Sequence, residues 1–128
     1  MRLLIDTQLL VWAGFDDPRI SQAARDIIGA ADIEPVFSVV SVWEVAIKHR
    51  LGKADFNVAP RDFHRDLIDN AYEELTVTAD HVFALADLPM VHRDPFDRLL
   101  VAQAAAEGIQ LLTADSQLAD YGAIVRRV

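Results

Sequence analysis

The chain has 128 residues, of which 52% are hydrophobic and only five each are Gly or Pro, so we expect a single domain over residues 1–128 rather than a disordered or repetitive chain. It has no cysteine, which excludes disulfides and thiolate metal sites, and its first apolar run is too short for a signal peptide or a membrane span, so we expect a cytoplasmic protein without membrane contact. The formal net charge of −8 disfavours a surface built for nucleic acid, because phosphates attract basic residues, but it suits a protein that binds divalent cations or has a basic partner.

The first half of the chain alternates short runs typical of buried strands with longer runs in which apolar residues recur at helical spacing. A β-branched and aromatic run follows Pro35, and Gly52 is a suitable residue to end a helix. The predicted elements here are strands over 2–5 and 36–40 and helices over 7–14, 20–31 and 42–51.

The second half continues the same alternation. Its clearest helix begins at Pro95, a favoured first-turn residue, and ends at Gly108. The predicted elements are helices over 63–71, 82–86, 95–107 and 116–120 and strands over 75–77, 109–113 and 123–125.

Acidic residues stand at the ends of several predicted strands. Apolar strands that alternate with helices predict an α/β fold with a parallel sheet covered on both faces. Ligands bind such sheets at the carboxyl ends of the strands, near the point where the strand order reverses. Asp6 follows the first strand, Glu44 lies in the first turn after the second, and Asp115 comes two residues after a later strand. Asp97, in the first turn of the long helix, joins them if that helix begins at the same edge.

Each of these acids also has a purely structural interpretation. Residues 41–44 fit the capping-box pattern, in which Glu44 returns a hydrogen bond to the backbone. Residues 94–97 fit an N-cap followed by an acid that the helix dipole favours. Asp6 and Asp115 could each be simple N-caps.

The four acids together weaken that structural interpretation. Two unit charges about 5 Å apart repel by roughly 3 kcal/mol at an effective dielectric of 20, so a fold would gather several carboxylates only around a bound cation. Mg²⁺ and Mn²⁺ prefer oxygen ligands, and they activate water for attack on a phosphodiester. No histidine or cysteine spacing indicates zinc, and we assign no role to the four histidines, which are His49, His64, His81 and His92.

Four short segments carry these acids in a fixed order. The third is the most distinctive, because its Asp-Pro-Phe-Asp sequence stands directly before an apolar helix. The segments are 3–12 (LLIDTQLLVW), 38–45 (SVVSVWEV), 92–104 (HRDPFDRLLVAQA) and 111–116 (LLTADS).

In this order and spacing the segments resemble PIN-domain ribonucleases, and within them the VapC-like toxins of bacterial toxin–antitoxin pairs, over essentially the whole chain. The resemblance implies that four acids are catalytic metal ligands, namely Asp6, Glu44, Asp97 and Asp115. It implies a three-layer α/β/α fold with a central parallel sheet of four to five strands. It also implies Mg²⁺- or Mn²⁺-dependent endoribonuclease activity on RNA, a homodimer, and a cognate antitoxin protein as partner.

Five further residues have assignments that depend on this alignment. Asp94 becomes an additional acid that caps a helix, and Gln8 stands where relatives often carry His, which we expect to leave metal binding unchanged. Lys48 is four residues after Glu44, which favours a simple ion pair on one helix face, with contact to RNA phosphate as the alternative. Arg93 and Arg98 flank the third acid and are candidates to bind the RNA backbone or to remain as solvated surface. The two tryptophans, Trp12 and Trp43, are expected in the core.

Two other functions compete with the nuclease. A receiver domain that accepts phosphate on Asp has a similar length and an acidic Mg²⁺ pocket, but it pairs two acids after the first strand and needs a Lys near the last. Here Thr7 and Gln8 follow Asp6, and no Lys occurs after Lys53. The second rival is a non-catalytic PIN-like scaffold that binds RNA or protein, against which the presence of all four acids argues.

Overall fold

The computed structural model describes residues 1–128 and contains five strands and six α-helices. The strands are β1 (Arg2–Ile5), β2 (Glu34–Ser38), β3 (Glu73–Leu75), β4 (Gln110–Thr113) and β5 (Val125–Arg127). The helices are α1 (Thr7–Gly14), α2 (Gln22–Ile28), α3 (Val39–Arg50), α4 (Pro60–Asp69), α5 (Ala79–Asp87) and α6 (Pro95–Glu107), with a short 3₁₀ helix at Leu118–Tyr121.

All five strands are parallel and form one sheet in the order β3-β2-β1-β4-β5. From β1 the chain adds β2 and β3 on one side of this strand, and it then adds β4 and β5 on the opposite side. The strand order therefore reverses at β1. Ligands in such sheets bind at this reversal. The predicted parallel α/β architecture is confirmed, and the order differs from the 2-1-3-4-5 order of receiver-type folds, which argues against that rival.

The central strand has apolar residues on both faces because helices cover both. Leu3 and Ile5 pack into one core with residues of α1, α2 and α4, whereas Leu4 packs into a second core with residues of α6. All three side chains are fully buried. This alternation follows from the two-residue period of a strand and produces the three-layer arrangement.

Several predicted boundaries were wrong, chiefly where a side chain overrides the propensity of its neighbours. Val39 and Val40 were predicted to end a strand, but they begin α3, because the Ser38 hydroxyl accepts a hydrogen bond from the Val40 amide and caps the helix. Along the chain, β3 lies two residues earlier than predicted and β5 two residues later, and α2 is shorter than the predicted 20–31 helix.

No helix combines the length and the apolar composition that crossing a membrane requires.

Candidate active site

Asp6 lies where β1 meets α1 and is 6% exposed. It occupies the N-cap position without a well-formed capping hydrogen bond, so capping alone does not account for this buried carboxylate. Instead, its Oδ2 accepts a hydrogen bond of 2.7 Å from the hydroxyl of Thr113, the last residue of the neighbouring β4. Two adjacent strand ends therefore hold this carboxylate in place.

Glu44 lies in the middle of α3 and is 5% exposed. The capping-box interpretation is wrong, because Ser38 caps the helix and the Ser41 hydroxyl is hydrogen-bonded to that of Thr7 at 2.7 Å. Glu44 Oε2 accepts a hydrogen bond of 2.5 Å from the Lys48 ammonium. Its Oε1 is buried and has no hydrogen-bond partner. A buried carboxylate oxygen without a partner is costly and calls for a ligand.

Asp97 lies in the first turn of α6, next to the residue that caps this helix. Asp94 Oδ1 accepts hydrogen bonds from the amides of Phe96 at 2.9 Å and Asp97 at 3.2 Å, so the predicted capping role of Asp94 is confirmed. The Asp97 carboxylate is therefore not needed as a cap, and its side chain is only 16% exposed.

Asp115 follows β4 and is tied to the same strand end as Asp6. Its amide donates to the Thr113 hydroxyl at 3.0 Å, and its Oδ1 accepts a hydrogen bond from the Gln117 amide at 2.9 Å. One oxygen thus has a local structural role, which the N-cap interpretation anticipated, while Oδ2 points toward His92 at 3.4 Å.

The four acids line one cleft of about 250 Å³, which we call the acid cleft (Asp6, Glu44, Asp97 and Asp115). Larger cavities elsewhere are lined mainly by apolar residues and contain none of these acids. The remaining residues that line the acid cleft are Gln8, Trp12, Lys48, Asp94 and Ala114.

Burial and mutual repulsion raise two of the carboxyl pKa values in the acid cleft. Burial, reinforced by the charges of Asp6, Asp94, Glu44 and Asp115, raises the pKa of Asp97 to about 8. Burial also raises the pKa of Asp6 to about 6, with a contribution from the Glu44 charge and against the Thr113 hydrogen bond. Both shifts indicate a site with more negative charge than its own residues neutralise.

His92 is a component of the site that the sequence analysis missed. Its Nε2 lies 3.4 Å from Asp115 Oδ2 and 3.7 Å from Asp97 Oδ2, so these three side chains form a compact cluster. Its Nδ1 accepts a hydrogen bond from the Asp94 amide, which places the proton of a neutral ring on Nε2, facing the acids. In this arrangement His92 is a donor toward the acids rather than a metal ligand. Its position two residues before the helix-capping Asp94 was the only signal in the sequence.

The other predicted residues divide between the cleft and the surface. Lys48 forms the expected ion pair with Glu44 and also lies over the Phe56 ring, 5.0 Å from its centroid. Arg93 is exposed and Arg98 is partly buried, and neither lines the acid cleft. Trp43 is 53% exposed, so its expected place in the core was wrong, whereas Trp12 is partly buried against one wall of the cleft.

Comparison with known proteins decides the family. Residues 3–124 match the family described as PIN domain. The chain belongs to the PIN-domain family. No curated protein matches it at significant similarity.

Solved structures of chains from three complexes share this fold. A chain of the VapBC2 complex from Rickettsia felis, bound to a DNA fragment from their promoter, matches with a TM-score of 0.74 and 17% identity, covering 99% of this chain and 98% of that one. A toxin–antitoxin complex from Klebsiella pneumoniae matches with a TM-score of 0.67 and 14% identity over 98% and 99% of the two chains. VapBC-1 from nontypeable Haemophilus influenzae matches with a TM-score of 0.63 and 16% identity over 94% and 92%.

Proposed function

We propose that this PIN-domain protein is a Mg²⁺- or Mn²⁺-dependent endoribonuclease that acts as the toxin of a toxin–antitoxin pair. One observation carries the proposal. Carboxylates from separate elements line a single cleft at the strand-order reversal, and one buried oxygen, Glu44 Oε1, has no partner within the protein. A fold maintains such an arrangement at a cost in stability, which a bound cation would offset.

The donor set of the acid cleft fits a hard divalent cation. All four acids offer carboxylate oxygens, and the only nearby imidazole presents a proton rather than a lone pair. Asp6, Glu44 and Asp97 are the residues that would hold the ion, with Asp115 as a further ligand or as an acceptor for its water. Such an ion supplies activated water and stabilises the charge that develops on a phosphodiester. The raised pKa values of Asp6 and Asp97 would return to the acidic range when the ion is bound.

The proposed biological role depends on the relatives. The structural neighbours are chains of complexes named VapBC or toxin–antitoxin, which supports a cognate antitoxin for this chain as well. A homodimer and a cytoplasmic location are further parts of the proposal, and they follow from the family resemblance of the sequence alone. The antitoxin would silence the nuclease most directly by placing an Arg or Lys among the carboxylates, because a guanidinium can satisfy several of them at once. Lys48, Arg93 and Arg98 remain our candidates for contacts with the RNA backbone.

Cleavage of a short single-stranded RNA by the purified protein tests the nuclease. We expect cleavage with Mn²⁺ or Mg²⁺ and none in EDTA. Asp6→Asn and Asp97→Asn should each lower the rate by more than about 100-fold, because a metal site contributes several kcal/mol to the barrier. Asp115→Asn should have a smaller effect.

The matched control is Asp69→Asn, which removes an exposed acid on α4 outside the cleft and should cleave RNA like the parent. Unchanged cleavage in EDTA, or by Asp97→Asn, would overturn the metal-dependent mechanism. If the parent binds RNA but does not cut it with either metal, the non-catalytic scaffold is the correct function.

A further inference from the structure

Two hydrogen-bond donors in the wall of the acid cleft have no acceptor. Gln8 Nε2 and Trp12 Nε1 are both buried and make no hydrogen bond within the protein. The two residues are one turn apart on α1 and line the same cleft as the four carboxylates. Neither N–H group donates to any of those carboxylates, although these are the strongest acceptors nearby. Buried N–H groups are nearly always paired, so this pair requires an explanation.

The donors are held in position by the packing behind them. On α1, Leu9 and Leu10 are buried in the core, and the Thr7 hydroxyl is hydrogen-bonded to Ser41 on α3. The Arg19 guanidinium lies over the Trp12 ring, 5.2 Å from its centroid. That guanidinium is itself held by hydrogen-bonded ion pairs with Asp17 and Asp55. The indole ring is therefore held in place beside the cleft.

The chemistry of these groups defines what they can bind. An indole N–H is a donor only, and the Nε2 atom of the Gln8 amide carries two N–H donors. Neither group can hold a cation, so they do not belong to the metal site. They need an acceptor atom, which a ligand bound in the cleft can supply. The Lys48 ammonium, which lines the same cleft, already donates to Glu44.

We propose that Gln8 and Trp12 form a donor wall that binds the non-bridging oxygens of an RNA phosphodiester and positions it against the acid cleft. This inference rests on the proposed nuclease function. A phosphodiester carries acceptor oxygens without donors, and it is the group that a metal nuclease must hold beside its ion. Neutral donors on one wall give the phosphate favourable contacts in a cleft whose other residues are mostly acidic. Gln8 and Trp12 are thus positioning residues that act through the substrate's backbone.

Removing the indole N–H while retaining the ring tests the donor wall kinetically. Trp12→Phe keeps an aromatic ring under Arg19 but cannot donate. We expect a three- to tenfold rise in KM for a short single-stranded RNA, the loss that one neutral hydrogen bond produces, with kcat close to the parent value. The rise in melting temperature that Mn²⁺ causes should be unchanged, because the metal ligands are intact. Trp43→Phe is the matched control and should leave KM unchanged.

The indole N–H resonance provides a readout that does not depend on catalysis. Trp12 and Trp43 give two indole signals in a ¹⁵N–¹H spectrum, which the two Phe variants assign. Adding the same RNA to the cleavage-impaired Asp97→Asn protein should shift the Trp12 signal downfield, as hydrogen bonding to phosphate does, and leave that of Trp43 in place. Gln8→Met should weaken RNA binding as Trp12→Phe does.

The outcomes separate the two proposals. If the parent does not cleave RNA but the Trp12 signal shifts, the donor wall stands and the nuclease function fails. If the parent cleaves RNA while Trp12→Phe keeps its KM and the Trp12 signal does not move, the donor wall is wrong. A shift produced by a carboxylate-containing peptide but not by RNA would also overturn it and would assign these donors to a protein partner.

Discussion

Two buried polar clusters in this protein differ in whether their atoms find partners. The first, which we call the packing network (Ser38, His81, Gln103 and Glu107), joins β2 to α5 and α6. The Ser38 hydroxyl donates to Gln103 Oε1 at 2.5 Å, and His81 Nε2 pairs with Glu107 Oε2 at 2.9 Å. His81 Nδ1 accepts from the Thr78 amide at 3.0 Å, which completes the capping of α5. The fully buried residues of this network therefore have hydrogen-bond partners.

The acid cleft also contains buried polar groups, among them Asp6 and Glu44, but several of its atoms lack such pairing. Glu44 Oε1, Gln8 Nε2 and Trp12 Nε1 have no partner, and the carboxyl of Asp97 has a pKa raised by its neighbours. Burial of polar groups alone therefore does not mark a functional site in this fold. The acid cleft is distinguished by polar atoms without hydrogen-bond partners and by carboxylates without neutralising charges. The packing network has neither, and in the acid cleft a ligand can satisfy both.

The largest effect on stability should come from disrupting the packing network. His81→Ala removes a fully buried ring and leaves Glu107 and the α5 cap without their partner, so we expect a loss of about 3 kcal/mol in the free energy of unfolding. Urea denaturation followed by circular dichroism measures it. His64→Ala is the control, since that histidine is 40% exposed and its pairing with Glu74 is superficial. A loss of less than about 1 kcal/mol for His81→Ala would mean that the network does not stabilise the fold.

A divalent ion should stabilise the protein through the acid cleft and not through the packing network. Mn²⁺ at about 100 times its dissociation constant should add about 2.7 kcal/mol to the free energy of unfolding. Thermal unfolding with and without EDTA measures this. His81→Ala should show the same increment as the parent, whereas Asp6→Asn should lose most of it. An equal increment in Asp6→Asn would place the ion elsewhere.

Neutralising one acid should stabilise the protein when no metal is present. Asp97→Asn removes a carboxyl that burial and neighbouring charges destabilise, so we expect a gain of about 2 kcal/mol in EDTA at pH 8. Asp94→Asn is the matched control, because Asn also caps helices well and should leave the stability nearly unchanged. If Asp97→Asn is instead less stable than the parent, Asp97 serves mainly to favour the start of α6.

The sequence was sufficient for the features that depend on local patterns. The apolar run before Asp6 predicted β1, and Pro95 and Gly108 predicted the bounds of α6 correctly. The strand-end rule then placed Asp6 and Asp115 at one edge of the sheet, where the structure has both beside Thr113. These predictions depended on periodicity and on residues that begin or end helices, which act within a few residues.

The features that depend on contacts across the chain could not be predicted in this way. His92 is part of the site only because the loop before α6 turns its ring toward Asp115, and Trp43 is exposed because its ring packs edge-on against Phe96 at 4.8 Å rather than in the core. The unpaired N–H of Trp12 likewise could not be predicted, because it depends on the absence of an acceptor atom among neighbours from other parts of the chain. Partners that lie far apart in sequence leave no periodic signal.

The pH dependence of stability should distinguish the two clusters most finely. In the folded protein without metal, the pKa of Asp97 is raised to about 8 and that of Asp6 to about 6, from ordinary values near 3.8. The folded state therefore binds protons that the unfolded state has already released, and the free energy of unfolding falls as pH rises. The contribution of these groups is fully present below about pH 4, declines as each group titrates, and is lost above about pH 8.

Asp97→Asn should remove the part of this slope that extends from pH 6 to 8, and saturating Mn²⁺ should flatten it, because the ion takes the place of the protons. Ser38→Ala disturbs the packing network without removing a titratable group, so it should keep the parent's slope in the same range. Urea denaturation in EDTA at successive pH values measures each curve. A slope that persists between pH 6 and 8 in Asp97→Asn would show that this carboxyl is not the source of the electrostatic strain in the acid cleft. The contrast between the two clusters would then rest on the unpaired atoms alone, which are Glu44 Oε1, Gln8 Nε2 and Trp12 Nε1.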